Sequence, residues 1–317
     1  MPKFLSLPFC FFLATQLITA QTRDTLIEVA ANPAGGFFYP YFLFIPGDCS
    51  KERETYLLVE SNNTGTVNDS FSVHENAARV QAQLGPLGNQ LSHQLQVPYL
   101  VPVFPRPGKQ WKVYTHLLDR DALLIKNGSM KRIDLQLVAM IHDAMVMLQK
   151  SGYKINTQIL MSGYSSSGVF ANRFACLHPE LVKAYSAGGV NGLLMMPFSQ
   201  WNNEKLEYPV GTSDFQKLTG EVFNFDAFAR VHQFLYMGEA DTNDAVQNDD
   251  AYSDKERELI YTAFGKTMLP DRWFACQLQY KVATHNAQFR TYSGVGHEMN
   301  ADIMRDLVKF YTVAIKE

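Results

Sequence analysis

Short apolar runs bounded by turn residues recur along the chain, and most are separated by amphipathic stretches. Runs of this kind, rich in β-branched and aromatic residues, predict strands. We predict strands at 25–29, 38–45, 56–60, 97–104, 156–161, 182–187, 234–237 and 289–292. The prolines in 97–104 restrict that strand to the middle of its run.

The segment 134–150 has the clearest helical pattern in the chain. Its apolar residues recur every three or four positions, at Leu135, Val138, Ile141, Met145 and Leu148. Further helices are predicted over 74–84, 169–177 and 302–315, the last with Ile303, Leu307 and Phe310 on one side. Strands that alternate with helices predict an α/β fold with a mostly parallel sheet covered on both faces, and the first two strands suit an antiparallel start.

Segment 191–231 interrupts this alternation with prolines, glycines and several aromatic residues. A long stretch without a regular pattern is often a lid or a binding loop. We therefore treat 191–231 as a candidate lid or cap insertion that selects substrate. The alternative is an additional layer that simply packs on the domain.

The first 20 residues have the pattern of a secretory signal peptide. Lys3 precedes an apolar stretch at 4–18, and Ala20 supplies the small residue expected at a cleavage site. A buried N-terminal helix is the alternative. We predict a secreted or periplasmic protein whose mature domain is 21–317. No later segment has the length and apolarity of a membrane span.

Composition narrows the class of protein. The chain has 317 residues, of which 46% are hydrophobic and 19% charged, with a net charge of −3 and no basic stripe. These values are typical of a folded globular protein and give no support to nucleic-acid binding.

Without the signal peptide three cysteines remain, so one intramolecular disulfide at most can form. Cys176 lies in an apolar helical pattern, which leaves Cys49 with Cys276 as the pair to test first.

The stretch GYSSSG at 163–168 lies between a predicted strand and a predicted helix. A serine nucleophile on such a sharp turn needs small residues two positions before and two positions after it. Ser165 meets this requirement, because Gly163 precedes it and Ser167 follows it. Ser166 and Ser167 would each have a bulky residue at one of these positions. We therefore predict Ser165 as the nucleophile, with a helix N-cap as the alternative role.

A nucleophilic serine needs a base, and histidine is the usual one. His297 follows the last predicted strand in SGVGHE, where glycines let the chain turn back over the sheet. The strand at 234–237 ends in GEAD, which makes Asp241 the candidate acid that orients the imidazole. Asp244 is the alternative acid.

The zinc motif HExxH is absent and the acidic cluster lacks EF-hand spacing, so we expect no metal and no cofactor.

These motifs resemble the α/β-hydrolase superfamily, in particular secreted esterases and polyhydroxybutyrate-depolymerase-like members. GYSSSG is similar to their nucleophile elbow, although Ser167 replaces the second glycine. The resemblance implies an α/β-hydrolase fold over about residues 25–317 and Ser-His-Asp chemistry. It also implies an oxyanion hole made by the N–H of Ser166 and a donor from Asn63 or Thr64.

The resulting hypothesis is a serine hydrolase that acts on a small-molecule or polymeric carboxylic ester through an acyl-enzyme. A serine peptidase or amidase on the same fold is one alternative. A hydrolase-fold binding protein without activity is another, because a fold does not determine a function. Nothing in the sequence specifies an oligomeric state.

Overall fold

The computed structural model describes residues 23–63 and 65–317. In these residues, the strands are β1 Thr25–Val29, β2 Tyr41–Ile45, β3 Glu54–Val59, β4 Tyr99–Pro102, β5 Lys154–Tyr164, β6 Val182–Gly188, β7 Gln200–Trp201, β8 Glu204–Lys205, β9 His232–Gly238 and β10 Ala287–Tyr292. The α-helices are α1 Phe71–Leu84, α2 Gly88–Leu95, α3 Arg120–Leu124, α4 Ile133–Lys150, α5 Ser166–Leu177, α6 Phe215–Thr219, α7 Phe225–Arg230, α8 Asp254–Phe264, α9 Trp273–Ala283 and α10 Ala301–Ala314.

Eight strands form one sheet in the order β1-β2-β4-β3-β5-β6-β9-β10. Strand β2 is antiparallel to both of its neighbours. In the rest of this sheet, β4-β3-β5-β6-β9-β10, every pair of neighbouring strands is parallel. The predicted α/β class and the antiparallel start are therefore confirmed. Because β3, β5, β6, β9 and β10 are parallel, the loops that follow them all leave the same edge of the sheet.

Helices cover both faces of the sheet, and alternate residues of each strand supply the two cores. In β3, Leu57 packs on one face and Leu58 on the other, and both are fully buried. The first face is covered by residues of α4, α5 and α9, and the second by residues of α1, α2 and α10. Burial on both faces explains why the central strands are nearly continuous apolar runs.

The predicted strands are all present, with bounds that shift by a few residues. The predicted helices at 74–84, 134–150, 169–177 and 302–315 correspond to α1, α4, α5 and α10. The orientation of α4 differs in one respect, because Leu135 is 45% exposed while Leu137 and Met140 are buried. The sequence pattern predicts none of the other helices, α2, α3, α6, α7, α8 and α9.

Segment 191–231 contains the β7–β8 hairpin and the short helices α6 and α7. Most of its large apolar side chains, including Met195, Leu206 and Phe215, are buried in the main core. The segment therefore packs as part of the domain, and its role in substrate selection stays a prediction.

The suggested pairing of Cys49 with Cys276 is wrong. Cys49, Cys176 and Cys276 are all free and buried. Cys276 lies inside α9 and Cys49 in the loop after β2. Burial raises the pKa of the Cys49 thiol to about 11 and that of Cys276 to about 12.

The predicted signal peptide, residues 1–20, lies outside the described residues. None of the helices in 23–63 and 65–317 has the length and apolarity needed to cross a membrane.

Candidate active site

Ser165 occupies a turn of one residue between β5 and α5. Its backbone angles are φ 60° and ψ −128°, a region that residues other than glycine rarely adopt. Backbone strain of this kind is concentrated at functional sites and persists only where the surroundings hold it. Here the Ser165 N–H donates to the carbonyl of Gly188 over 2.8 Å, and its own carbonyl accepts from Val169. The half-buried serine thus projects at the carboxyl edge of the sheet.

The residues on either side of Ser165 close the turn. A Cβ on Gly163 would lie 2.1 Å from the carbonyl oxygen of Ser167, so only glycine fits there. The Ser167 hydroxyl donates to the carbonyl of Tyr164 over 2.8 Å and accepts from the Tyr164 N–H over 2.9 Å. Ser167 is therefore small, as the turn requires, and also bonds the strand end to the first turn of α5.

The loop after β9 and the loop after β10 dock on each other. Gly238, the last residue of β9, allows this close approach, because an added Cβ would lie 2.3 Å from the carbonyl oxygen of Val295 and 2.4 Å from that of Gly296. The Ala240 N–H also donates to the Val295 carbonyl over 2.9 Å. The two loops are consequently fixed by backbone contacts.

This docking brings Asp241 and His297 together. Nδ1 of His297 donates to Oδ2 of Asp241 over 2.8 Å. The Asp241 side chain is 2% exposed and that of His297 is 28% exposed. An imidazole that donates from Nδ1 keeps a lone pair on Nε2, which is the arrangement a general base needs.

Asp244, the alternative acid, forms its ion pair with Arg272, whereas His297 pairs with Asp241. The Asp244 carboxylate lies 2.5 Å from Nη2 of Arg272, which is fully buried. The approach is ionic rather than a well-directed hydrogen bond, because Nη2 has no hydrogen-bond partner among the described residues. The structure therefore brings Asp241, and not Asp244, to the histidine.

Nε2 of His297 accepts a hydrogen bond from the side-chain amide of Asn243 over 3.1 Å. Among the residues that the structure describes, no hydrogen bond joins His297 to the Ser165 hydroxyl. The Asn243 N–H also donates to Asp241 over 2.9 Å. The Tyr164 ring lies 4.9 Å from the imidazole, measured between centroids, and limits its rotation. Burial, followed by the nearby charges of Asp241 and Glu298, raises the pKa of Tyr164.

The three predicted oxyanion donors have different surroundings. Ser166 is the first residue of α5, where backbone N–H groups have no partner within the helix. The N–H of Asn63, in contrast, donates to Oε1 of Gln81 over 3.2 Å. Nε2 of Gln81 donates to the Ser61 carbonyl over 3.1 Å, so this side chain holds the loop after β3 at two backbone positions. Thr64 lies outside the described residues.

A buried polar cluster lies next to Ser166. Its hydroxyl is 2.8 Å from that of Tyr114, and the Arg106 guanidinium lies over the Tyr114 ring, 3.5 Å from the centroid. Arg106 forms an ion pair with Asp250. The Asp250 side chain is 24% exposed, so this carboxylate packs against the domain. Burial lowers the pKa of the neighbouring His116 to about 3, so its imidazole is neutral at physiological pH.

The described part of the chain holds no group of three or more His, Cys, Asp or Glu side chains placed to bind a metal ion.

Comparison with known proteins agrees with this architecture. Poly(aspartic acid) hydrolase-1 from Sphingomonas sp. KT-1 aligns with a TM-score of 0.55 and 13% identity, over 91% of this chain and 98% of that one. One known architecture combines this order of strands, an antiparallel β2 and a serine turn after β5. The chain has the α/β-hydrolase fold. Family profiles and curated protein sequences gave no match.

Two further solved structures align at lower scores. S-formylglutathione hydrolase from Agrobacterium tumefaciens aligns with a TM-score of 0.49 and 10% identity, over 93% of this chain and 95% of that one. Carboxyl esterase 2 from Tuber melanosporum aligns with a TM-score of 0.48 and 10% identity, over 96% and 87%.

Sequence reasoning missed Asn243, Tyr164 and Tyr114 as neighbours of the site. Asn243 stands between the two candidate acids and Tyr164 directly before the candidate nucleophile, so a survey of polar residues flanking these positions could have found both. Tyr114 lies in a loop with no recognisable motif.

Proposed function

We propose that this protein is a serine hydrolase that cleaves carboxylic esters through an acyl-enzyme. The observation that carries the proposal is the hydrogen bond from His297 Nδ1 to Asp241, at the same edge of the sheet as the strained turn of Ser165. These are the three groups that a Ser-His-Asp mechanism requires, in the chain order usual for this fold.

In the proposed mechanism, Oγ of Ser165 attacks the ester carbonyl while His297 Nε2 takes its proton. Asp241 stabilises the imidazolium without being protonated. The N–H of Ser166 donates to the oxyanion of the tetrahedral intermediate. His297 then gives its proton to the leaving alcohol. In the second half, His297 takes a proton from the water that attacks the acyl-enzyme and returns it to Oγ of Ser165 as the carboxylic acid leaves.

One contact must change before this cycle can begin. The Asn243 amide occupies Nε2 of His297, the atom that has to accept the Ser165 proton. Rotation of the exposed Asn243 side chain, whose backbone N–H stays on Asp241, frees Nε2 without moving the acid. We include this rotation in the mechanism as its first step.

A fluorophosphonate probe tests the nucleophile directly, because it reacts with activated serines. We expect wild-type protein to be labelled and Ser165→Ala to remain unlabelled at equal melting temperature. Ser162→Ala is a suitable control, since Ser162 is a buried serine of β5. Labelling that persists in Ser165→Ala, or that is absent from folded wild type, would contradict the proposal.

A substrate panel decides between the ester hydrolase and its alternatives. We expect p-nitrophenyl esters to be hydrolysed faster than peptide p-nitroanilides of the same acyl group. Faster amide cleavage would indicate the peptidase or amidase. Neither activity, together with no labelling, would indicate a binding protein with the hydrolase fold.

We also propose that residues 1–20 direct the protein out of the cytoplasm and are removed near Ala20. Expression of the full chain in a secreting host, followed by N-terminal sequencing, checks this. A mature protein that begins at or close to residue 21 is expected. An intact N-terminus on exported or retained protein would contradict it.

A further inference from the structure

Two buried hydroxyls lie beside the proposed nucleophile. Oη of Tyr114 and Oγ of Ser166 are 2.8 Å apart, and the two residues are 7% and 2% exposed. Within the described residues, neither hydroxyl has another hydrogen-bond partner. Two hydroxyls carry two protons, and the bond between them uses one. One O–H of the pair therefore has no acceptor among the described residues, and one member of the pair, Ser166, directly follows Ser165.

A buried donor without an acceptor destabilises the protein unless a ligand supplies the acceptor. The oxyanion that forms when Ser165 attacks a carbonyl is such an acceptor, and it is expected at the N–H of Ser166. The hole needs more than one donor, and the Asn63 N–H already donates to Gln81. Among the described residues, the position of a second oxyanion donor is therefore unfilled on the Ser166 side of the nucleophile Ser165.

Tyr114 is held firmly enough to fill that place. Its N–H donates to the Asp119 carboxylate over 3.1 Å. The Arg106 guanidinium covers one face of its ring at 3.5 Å and is fixed by its ion pair with Asp250. Donors that are fixed before the reaction stabilise a developing charge at little reorganisation cost. A cation against the ring also favours negative charge near the phenol oxygen.

We propose that the Tyr114 hydroxyl is the second donor of the oxyanion hole. Ser166 Oγ–H donates to Tyr114 Oη, and Tyr114 O–H donates to the oxyanion. The phenol is the more acidic of the two hydroxyls and hence the stronger donor. The inference rests on the proposed hydrolase function and names a group that stabilises its transition state.

The variant Tyr114→Phe removes the hydroxyl and leaves the ring under Arg106. We expect kcat for a p-nitrophenyl ester to fall by about 100-fold, the usual effect of losing one oxyanion donor, with KM nearly unchanged. The rate of fluorophosphonate labelling should fall in parallel, because the phosphonyl oxygen enters the same hole. Ser166→Ala should lower kcat by less than about fivefold, since it removes only a bond that orients Tyr114.

Tyr39→Phe is the matched control. The Tyr39 hydroxyl is 2.9 Å from the Ser129 hydroxyl, and Tyr39 is 8% exposed, so this variant removes the same kind of buried Tyr–Ser bond. It should lower the melting temperature as Tyr114→Phe does and leave kcat unchanged. The double variant Tyr114→Phe/Ser166→Ala leaves no unpaired hydroxyl, so it should recover stability but not kcat.

The outcomes separate this inference from the proposed function. Active, labelled wild type with a Tyr114→Phe variant of equal kcat would overturn the inference alone. A loss of about 100-fold in Ser166→Ala with a mild Tyr114→Phe would also overturn it, because the free proton would then be the serine's. Wild type that neither reacts with the probe nor hydrolyses an ester would overturn the proposed function and the inference with it.

Discussion

Asp244 and Arg272 form an ion pair in the interior, with 2.5 Å between Oδ2 and Nη2 and no exposure of the arginine. The variant Asp244→Asn leaves this guanidinium without its counter-charge. Breaking one side of a buried pair costs about 3–5 kcal/mol, so we expect a loss of about 3 kcal/mol in the free energy of unfolding. Urea denaturation followed by fluorescence measures it. The kcat of the protein that remains folded should change little.

Asp241→Asn should have the opposite profile. The carboxylate that holds His297 Nδ1 becomes an amide, which no longer stabilises the imidazolium and can select the wrong tautomer. On the proposed mechanism, kcat falls by about four orders of magnitude, as in other Ser-His-Asp triads. Steady-state kinetics, with unfolding measured alongside, checks the prediction. If Asp244→Asn were the inactive variant and Asp241→Asn the destabilised one, the roles of the two acids would be reversed.

Sequence reasoning predicted the strands, and it placed Ser165 and His297 after strand ends, because these signals are local. An apolar run ends, a glycine follows, and a polar residue stands at the strand end. The same reasoning could not reach Tyr114 or Asn243, whose partners Ser166 and His297 lie 52 and 54 residues away. Such contacts depend on how loops dock across the sheet edge, and no periodicity encodes that.

Helix α4 shows a different limit. Its apolar residues occupy more than one row, and the row chosen by spacing includes Leu135, which is 45% exposed. Asp134, next to it, is buried because Arg132 and His178 both bond its carboxylate. Burial raises the pKa of the Asp134 carboxyl. The bonds from Arg132 and His178 outweigh burial and lower that pKa to about 2. A carboxylate that is buried because ion partners hold it, one of them 44 residues away, misleads an assignment of helix faces from hydrophobicity.

Gly238→Ala should disrupt the site without touching a reacting group. The added methyl would lie 2.3 Å and 2.4 Å from two carbonyl oxygens of the histidine loop, so that loop must move. A displacement of about 1 Å in a catalytic group can cost about 100-fold in rate, and we expect at least that loss in kcat. Gly296→Ala, next to His297, is the control, because a Cβ there meets nothing within 4 Å. Equal activity of the two variants would mean that the docking of these loops does not position His297.

Ser167→Ala tests whether this serine is required for more than its size. The substitution keeps the residue small but removes both hydrogen bonds to the Tyr164 backbone. Since Ser167 is 1% exposed, the Tyr164 groups lose partners that water replaces poorly, and we expect a cost of about 1–3 kcal/mol. Denaturant unfolding measures it. A variant as stable as wild type would restore the simpler view that only the volume of residue 167 matters.

Glu60 provides a prediction about pH. It is buried at the end of β3, where its carboxylate accepts from the Tyr99 hydroxyl over 2.6 Å and from the Gly88 N–H over 3.0 Å. Burial raises its pKa to about 7, and these hydrogen bonds offset only part of that effect. The folded protein therefore holds the Glu60 proton more tightly than the unfolded chain does. The stability that this protonated form contributes is fully present below about pH 4.5. It is lost as the pH rises to about 7.

The variant Glu60→Gln keeps the shape of the side chain and cannot ionise. The free energy of unfolding of wild type, relative to the variant, should fall by about 3 kcal/mol between pH 4.5 and pH 8, since one pKa unit corresponds to about 1.4 kcal/mol. Comparing wild type with the variant at each pH isolates Glu60 from Asp119, another buried carboxyl whose pKa is raised to about 7. A difference that is constant from pH 4.5 to 8 would show that Glu60 titrates alike in the folded and unfolded chains. A difference that grew in favour of wild type would show that its hydrogen bonds outweigh its burial.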